Sequence, residues 1–235
     1  MQILVIGDIH GRDCWKNIVK SETFDKVVFI GDYFDSFNIT PIDQENNFKE
    51  IIQFKRDYPD KVILLIGNHD FHYLSNIKQD YSGYQFVKAW DYGFIMDELY
   101  KNQEIQACYR YNNFIFSHAG ITETWARNFN LNTNIDNIEN EVNTLFYRSP
   151  ISFGFVHGVC TGYGNSIEQG PLWVRPKQLN SDSTDGIHVI GHTHNSQIEI
   201  TNNYINVDTL PYQYLIIDND EIKIKDYDKK TKKTK

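Results

Sequence analysis

Acidic, amide and imidazole side chains recur in short clusters between residues 8 and 194. These clusters are Asp8–His10, Asp32–Asp35, Asn68–Asp70, His118 and His192–His194. Carboxylate, amide and imidazole ligands without a thiolate suit Mn²⁺, Fe, Zn²⁺ or Co²⁺ better than Ca²⁺, Mg²⁺ or an iron–sulfur cluster. The sequence therefore predicts a metal site that is assembled from distant parts of the chain.

The clusters offer more ligands than one tetrahedral zinc ion needs. Two metal ions that share a carboxylate would use such a set, and ions roughly 3.5–4 Å apart can hold a phosphoryl group and activate water for in-line attack. Each cluster alone has an ordinary explanation, since an Asp behind a strand can cap a turn and a single histidine can belong to the core. The conjunction of all five favours the two-metal interpretation.

Each cluster follows a short apolar run that predicts a β-strand buried on both faces. In open α/β sheets, ligands bind just beyond the carboxyl ends of the strands. The side chains of the clusters are therefore expected to meet there. The predicted strands are 2–6, 26–30, 61–66, 114–116 and 187–190, and the predicted helices are roughly 12–20, 43–57, 84–100 and 134–147.

The chain changes character behind the last cluster. Short β-type segments separated by Asn and Asp turns are expected to form an antiparallel set that completes a second sheet. Segment 149–186 is rich in glycine and long for a loop, which is typical of functional loops. Residues 1–227 are expected to form a single domain, and the lysine-rich residues 228–235 a frayed tail. The β-type segments are 197–201, 204–207, 212–217 and 221–225.

The composition is that of a folded chain with an acidic balance. Hydrophobic side chains make up 40% of the 235 residues, and the formal net charge is −8. This charge argues against a protein that coats nucleic acid through a basic surface. No apolar run approaches the roughly 18 residues of a membrane span, and the N-terminus lacks the pattern of a signal peptide. Cys14, Cys108 and Cys160 do not suggest a disulfide framework, so a cytoplasmic location is expected.

The order of the clusters resembles that of the calcineurin-like metallophosphoesterases. The first two motifs and the HAGI segment at 118–121 look most like bacterial and phage phosphoprotein phosphatases, which implies a Ser/Thr protein phosphatase-like enzyme. The resemblance also implies an α/β fold, a four-layer αββα sandwich of two mixed β-sheets flanked by helices, with a dimetal site at the strand ends. The motifs are GDIHG (7–11), GDYFD (31–35), GNHD (67–70), SHAG (117–120) and GHTH (191–194).

The resemblance further implies a role for each matching residue. Two divalent metal ions are expected, with Mn²⁺ favoured over Fe, Zn²⁺ or Co²⁺, and hydroxide on the metal ions attacks phosphorus in line. His69 would be the general acid that protonates the leaving alkoxide, and Asp35 would hold it protonated and aimed. The implied metal ligands are Asp8, His10 and His194 for the first ion, Asn68, His118 and His192 for the second, and Asp32 as the bridge.

Two positions depart from the phosphatase motifs. The residue behind Asp35 is Ser36 where Arg is usual, and Asp70 stands where Glu is usual. Another arginine should then supply the fork geometry that suits phosphate. Arg175 is the first candidate, because LWVRP (172–176) resembles a Trp-x-Arg segment of bacterial and phage members. Arg12 and Arg148 are weaker candidates.

Three further histidines are outside the implied ligand set. His72 is expected to pack in the core or to support the site from one turn behind Asn68. His188 lies inside a β-type run and is expected to be structural. His157 lies in the glycine-rich segment, where it could contact substrate.

Phosphomonoester hydrolysis of a phosphorylated substrate is the favoured function. The HAGI segment also resembles dinucleoside tetraphosphatases, so hydrolysis of dinucleoside polyphosphates or of phosphorylated nucleic-acid ends is an alternative. A non-catalytic metal-binding scaffold is a third hypothesis, which the complete ligand set and His69 disfavour. No regulatory subunit and no membrane partner are indicated.

Overall fold

The structure is a computed structural model and describes residues 1–158 and 164–227. Cys160 and the expected tail at 228–235 lie outside the described residues. The strands are β1 (Gln2–Ile6), β2 (Lys26–Phe29), β3 (Val62–Leu64), β4 (Tyr109–Tyr111), β5 (Phe114–Phe116), β6 (Ile187–Ile190), β7 (Glu199–Ile200), β8 (Tyr204–Asn206), β9 (Gln213–Asp218) and β10 (Glu221–Asp226). The helices are α1 (Trp15–Ser21), α2 (Pro41–Asp57), α3 (Asn68–Phe71), α4 (Ala89–Lys101), α5 (Glu123–Asn128), α6 (Ile138–Arg148) and α7 (Pro176–Asp182), with a 3₁₀ helix at Pro150–Phe153.

The described strands form two mixed sheets of five strands each. The first has the order β10-β9-β1-β2-β3 and the second the order β4-β5-β6-β8-β7. β1, β2 and β3 run parallel, as do β5, β6 and β8, while the remaining neighbours are antiparallel. The carboxyl ends of the parallel strands therefore share one edge in each sheet.

The two sheets pack face to face, with helices on their outer faces. In β1, Ile3 and Val5 join a core between the sheets that includes Phe116. Leu4 and Ile6 point the other way, into a core with helical residues such as Ile51 of α2. Burial on both faces explains why β1 is apolar without alternation. The layered sandwich predicted from the sequence is confirmed.

The helices differ from their predicted bounds mainly at their starts. α2 begins at Pro41, because the Thr40 Oγ1 accepts the backbone N–H of Asp43 at 3.2 Å and caps the helix. α4 begins at Ala89 and not near residue 84 as predicted, because the residues before Ala89 form turns. None of the described helices is both long and apolar enough to cross a membrane.

The prediction that the C-terminal strands form one antiparallel set in the second sheet was right for β7 and β8, which pair antiparallel there, and wrong for β9 and β10. β9 and β10 extend the first sheet, where β9 pairs antiparallel with β1, and β8 runs parallel to β6. The reason is burial: Tyr214 and Ile216 of β9 pack against the helix-side core, and Leu215 and Ile217 pack between the sheets. A strand with two apolar faces needs cover on both sides, which a place beside β1 provides.

Candidate functional site

The loops that follow neighbouring strands in the chain are hydrogen-bonded to one another at the shared edge of the sheet. His10 follows β1 in the chain, and Asp32 follows β2. The backbone N–H of His10 donates to the carbonyl of Asp32 at 2.7 Å. The Asp70 carboxylate then ties in the loop behind β3, since it accepts the backbone N–H groups of Asp32 (2.7 Å) and Gly67 (2.9 Å). The first three clusters are thereby held side by side.

The centre of the site consists of Asp8, Asp32 and His118. One ligand atom from each lies within 4.8 Å of the others, and all three residues are buried. The His118 Nδ1 donates to the Ile30 carbonyl at 3.1 Å, which leaves Nε2 facing Asn68 Oδ1 at 2.9 Å and Asp32 Oδ2 at 3.4 Å. A nitrogen lone pair that faces two oxygens is repelled unless a proton or a cation lies between them, so this arrangement suits a bound cation.

Two buried atoms of the predicted metal ligands have no hydrogen-bond partner in the described part of the chain. They are Asp8 Oδ1 and His192 Nε2. The other ring nitrogen of His192, Nδ1, lies 2.9 Å from Asn68 Oδ1, and the His192 backbone N–H donates to Asp8 Oδ2 at 3.0 Å. A buried polar atom without a partner costs about 1–3 kcal/mol. A bound metal ion would satisfy both atoms, so the residues fit the metal chemistry predicted from the sequence.

His10 and His194 complete the site from its more open side. The His10 Nδ1 donates to the Phe34 carbonyl at 2.6 Å, so that its Nε2, 3.6 Å from Asp32 Oδ2, is left to bind a cation. The His194 side chain is 59% exposed, and its Nδ1 lies 3.5 Å from Asp208 Oδ1. Both histidines line a cavity of about 410 Å³ that also reaches Asp8, Asn68 and His192. The structure thus brings all seven predicted ligands together.

The charges of the buried groups favour a cation. Burial alone would lower the pKa of His118, but the carboxylates of Asp32 and Asp8 raise it to about 9. Burial alone would raise the pKa of Asp32, yet the imidazoles of His118 and His69 hold it well below its ordinary value. Burial, together with Asp208, raises the pKa of Asp8 well above its ordinary value. The local field is therefore negative enough to hold His118 protonated, and a divalent cation would take the place of that proton.

Four residues of the site adopt the left-handed backbone conformation that favours glycine. Their φ values are 42° for His10, 52° for Asp32, 64° for Asp35 and 64° for His192. Such a conformation costs of the order of 1–3 kcal/mol at a non-glycine residue and is concentrated at functional sites in proteins. The strain is thus located where the loops turn back over the strand ends.

Two glycines make room for the ligand carboxylates. A β-carbon on Gly191 would collide with Asp8 Oδ1, and a β-carbon on Gly67 would collide with Asp32 Oδ1. The glycines of the GHTH and GNHD motifs are therefore required for the close approach of the loops, independently of any turn they form.

His69 lies beside the metal ligands at the wall of the same cavity. Its backbone N–H donates to Asp32 Oδ1 at 2.9 Å, and its Nδ1 donates to Asp35 Oδ2 at 2.9 Å. Nε2 is thus the ring nitrogen left for a substrate. Burial alone would lower the pKa of His69, but Asp32 and Asp35 raise it above its ordinary value. The imidazole can therefore carry a proton near neutral pH.

Comparison with known families agrees with this geometry. The sequence model of the family described as calcineurin-like phosphoesterase matches residues 1–196. The chain belongs to the calcineurin-like phosphoesterases. The motifs that carried the resemblance, from GDIHG to GHTH, all lie within the matched residues.

Solved structures with the same fold include a protein-tyrosine phosphatase and a metallophosphoesterase. The cold-active protein-tyrosine phosphatase of a psychrophile, Shewanella sp., is 17% identical with a TM-score of 0.62, over 97% of this chain and 78% of that one. The metallophosphoesterase from Sphaerobacter thermophilus is 12% identical with a TM-score of 0.52, over 97% of this chain and 88% of that one. Such identities show a shared fold. No protein with a curated description matches this calcineurin-like phosphoesterase.

Of the three candidate arginines, Arg175 alone lines the cavity in the described part of this calcineurin-like phosphoesterase. Its Nη1 donates to the His192 carbonyl at 3.0 Å. Arg12 instead donates to backbone carbonyls of its own motif and lines a neighbouring cavity. Arg148 is the last residue of α6. The assignment of Arg175 to phosphate binding stays a prediction.

The two departures from the phosphatase motifs have different consequences. The Asp70 carboxylate accepts three backbone N–H groups, one of them from Tyr33 at 2.7 Å, so the shorter side chain still ties the loops together. The backbone N–H of Ser36 donates to Gln44 Oε1 at 3.0 Å. Ser36 is not among the described residues that line the cavity, so it does not replace the missing arginine.

Sequence reasoning missed several residues of the site. Asp208, which follows β8 in the chain, is buried and lines the same cavity. A polar residue behind a strand is the same signal that revealed the other clusters, so it could have been found. Tyr81, Phe155 and Trp173 form an aromatic wall, with the Tyr81 and Trp173 rings 4.2 Å apart. Nothing in the sequence distinguishes these aromatic residues from core residues.

Proposed function

We propose that this calcineurin-like phosphoesterase hydrolyses phosphate monoesters with two divalent metal ions, Mn²⁺ being favoured. The observation that carries the proposal is one cavity lined by Asp8 and Asp32, which cluster with His118, and by His69, which is hydrogen-bonded to a carboxylate. When bound, the metal ions would supply an activated water and neutralise the charge of the phosphate.

The position of Asp32 supports its proposed bridging role. Its Oδ2 lies 3.6 Å from His10 Nε2 and 3.4 Å from His118 Nε2. The remaining ligands are proposed to divide as the family resemblance implies: Asp8, His10 and His194 would hold the first ion, and Asn68, His118 and His192 the second.

The proposed role of His69 is to protonate the leaving group. As the bond between phosphorus and the leaving oxygen breaks, the proton on His69 Nε2 passes to that oxygen, while Asp35 keeps Nδ1 in place. Arg175, at the cavity wall, is proposed to bind the phosphoryl oxygens through its guanidinium fork. No side chain needs to act as a nucleophile.

Phosphoserine or phosphothreonine in a protein is the substrate that we favour. A general acid matters most for a poor leaving group such as an alkoxide, and the hydrogen-bonded His69 supports that choice. We also propose that residues 1–227 act as one domain, because Asp8 and Asp208 line one cavity. A cytoplasmic location stays a prediction from composition.

Hydrolysis of p-nitrophenyl phosphate and of bis-p-nitrophenyl phosphate, side by side with Mn²⁺, tests the proposal. We expect a clear preference for the monoester and no turnover after chelation. A preference for the diester would contradict the monoester assignment and favour the alternative of diester or dinucleoside polyphosphate hydrolysis. Metal binding without turnover of either ester would favour the scaffold hypothesis.

A further inference from the structure

Three side-chain donors lie close to the Asp35 carboxylate, of which the family motifs account for one. His69 and Tyr73 donate hydrogen bonds to it, whereas the contact with His72 does not have hydrogen-bond geometry. Besides the bond from His69, Asp35 Oδ2 lies 2.7 Å from His72 Nε2, and Asp35 Oδ1 accepts the Tyr73 hydroxyl at 2.5 Å. The side chains of Asp35 and His72 are fully buried. The carboxylate is thus held at both oxygens.

The position of the proton on His72 follows from its other ring nitrogen. His72 Nδ1 accepts the backbone N–H of Tyr81 at 3.3 Å, so Nδ1 carries a lone pair and the proton lies on Nε2. Nε2 is the nitrogen that faces Asp35. The ring is also enclosed by aromatic neighbours, with ring centres at 4.4 Å for Tyr73 and 4.9 Å for Tyr84. The orientation of the His72 ring is therefore determined by packing against these rings and by the hydrogen bond from Tyr81.

We propose that His72 is a positioning residue, which holds the Asp35 carboxylate in the orientation that aims His69 at the leaving group. The inference rests on the proposed function of His69 as the general acid. Without the contact with His72, Asp35 Oδ2 keeps only His69 as a side-chain donor. The carboxylate can then rotate about its side-chain bonds and carry the imidazole away from the leaving oxygen.

Two substitutions separate the contact with Asp35 from the contact with Tyr81. In His72→Asn, the amide oxygen can replace Nδ1 as the acceptor for Tyr81, but no donor reaches Asp35. In His72→Gln, the amide nitrogen occupies the position of Nε2 and can still donate to Asp35. The two variants are assayed with Mn²⁺ on phenyl phosphate and on p-nitrophenyl phosphate, which differ only in the nitro group that makes the second a better leaving group.

We expect His72→Asn to lower kcat on phenyl phosphate roughly 10- to 100-fold, a part of the roughly 10²–10⁴-fold that a general acid supplies. On p-nitrophenyl phosphate the change should be much smaller, because nitrophenolate needs little protonation. His72→Gln should restore most of the rate on phenyl phosphate. In a His69→Asn background, which should keep both metal ions, His72→Asn should have no further effect.

A buried histidine elsewhere provides the matched control. His188 is fully buried, its Nε2 lies within hydrogen-bond distance of Thr184, and it is not among the described residues that line the cavity. His188→Asn should leave the ratio of the two rates unchanged, even if it lowers stability. Equal losses on both esters for His72→Asn, or a further loss in the His69→Asn background, would show a merely structural role for His72.

The failure of this inference is distinguishable from failure of the proposed function. Wild-type protein that hydrolyses neither ester would overturn both. An active wild type in which His72→Asn keeps the wild-type ratio overturns the inference alone. A second measurement uses the wild type and so does not depend on whether a variant folds. We expect ¹⁵N NMR to find the His72 proton on Nε2, and a proton on Nδ1 would overturn the inference.

Discussion

The two ends of the cavity differ in how completely their polar groups are satisfied. At the acid end, Asp35 accepts donors at both oxygens, and each of the donors is held by further contacts. At the metal end, Asp8 Oδ1 and His192 Nε2 are buried without a hydrogen-bond partner among the described residues. His72 Nε2 at the acid end also lacks a hydrogen-bond partner among the described residues, but it lies 2.7 Å from Asp35 Oδ2, whereas the unpartnered atoms at the metal end fit a cation.

This difference shows how one cavity can combine a preorganised and a ligand-dependent part. Hydrogen bonds within the chain orient His69 before any ligand binds, which reduces the reorganisation needed during the reaction. The metal end keeps buried charge that a cation must compensate, which favours tight binding. Substitutions at the two ends should therefore have different signatures.

The largest effect is expected from Asp32→Asn, which breaks the metal end. The bridge loses its charge, so the affinity for each metal ion should fall more than about 100-fold, beyond what the loss of an outer hydrogen-bonding partner costs. Turnover should fall with it. Titration calorimetry with Mn²⁺ measures the affinity, and Asp60→Asn, at an exposed carboxylate, is the control. Unchanged Mn²⁺ affinity in Asp32→Asn would contradict the bridging role.

A smaller effect, with the metal content intact, is expected from Arg175→Ala. If the guanidinium binds the phosphoryl oxygens, its removal should lower kcat/KM about 100-fold, at the low end of what one removed transition-state donor costs. Kinetics on the monoester combined with metal analysis tests this. Arg148→Ala is the matched control, and an unchanged kcat/KM for Arg175→Ala would discard the assignment.

The last effect concerns the free energy of unfolding, and it compares the histidines of the cavity with a buried histidine outside it. Burial lowers the pKa of His188 from 6.5 to about 4. Between these values the unfolded chain binds a proton that the folded chain does not. The contribution of a neutral His188 to stability is thus complete above pH 6.5 and is lost as the pH falls towards 4, by up to about 3 kcal/mol.

Urea unfolding of the metal-free protein at pH 7 and at pH 4.5 measures this loss. His188→Asn removes the titrating group and keeps all groups of the cavity, so its unfolding free energy should fall less between the two pH values. Parallel pH profiles for the wild type and the variant would contradict the prediction. The expected contrast between His188, whose pKa is lowered by burial, and His118, whose pKa is raised by nearby carboxylates, would then need another explanation.

Much of the site could be predicted because its residues follow a local rule. Asp8, Asn68 and His118 are each the second residue after an apolar run, and parallel strands place such residues at one edge. The sheet assignment of β9 could not be predicted, because an apolar strand fits either sheet and only the available cover decides. The sequence offered His72 as a core residue or a support of the site, but its contact with Asp35 could not be predicted, since the two positions are 37 residues apart.

The sequence by itself determined which side chains are available for chemistry and that they stand at strand ends. It also determined the family, through motifs that are short and local. The tertiary structure decided which ring nitrogen carries a proton in histidines such as His10 and His72, because that depends on the distant partners Phe34 and Tyr81. It also decided which buried atoms are left for a metal ion, because burial and hydrogen bonding are properties of the packed loops.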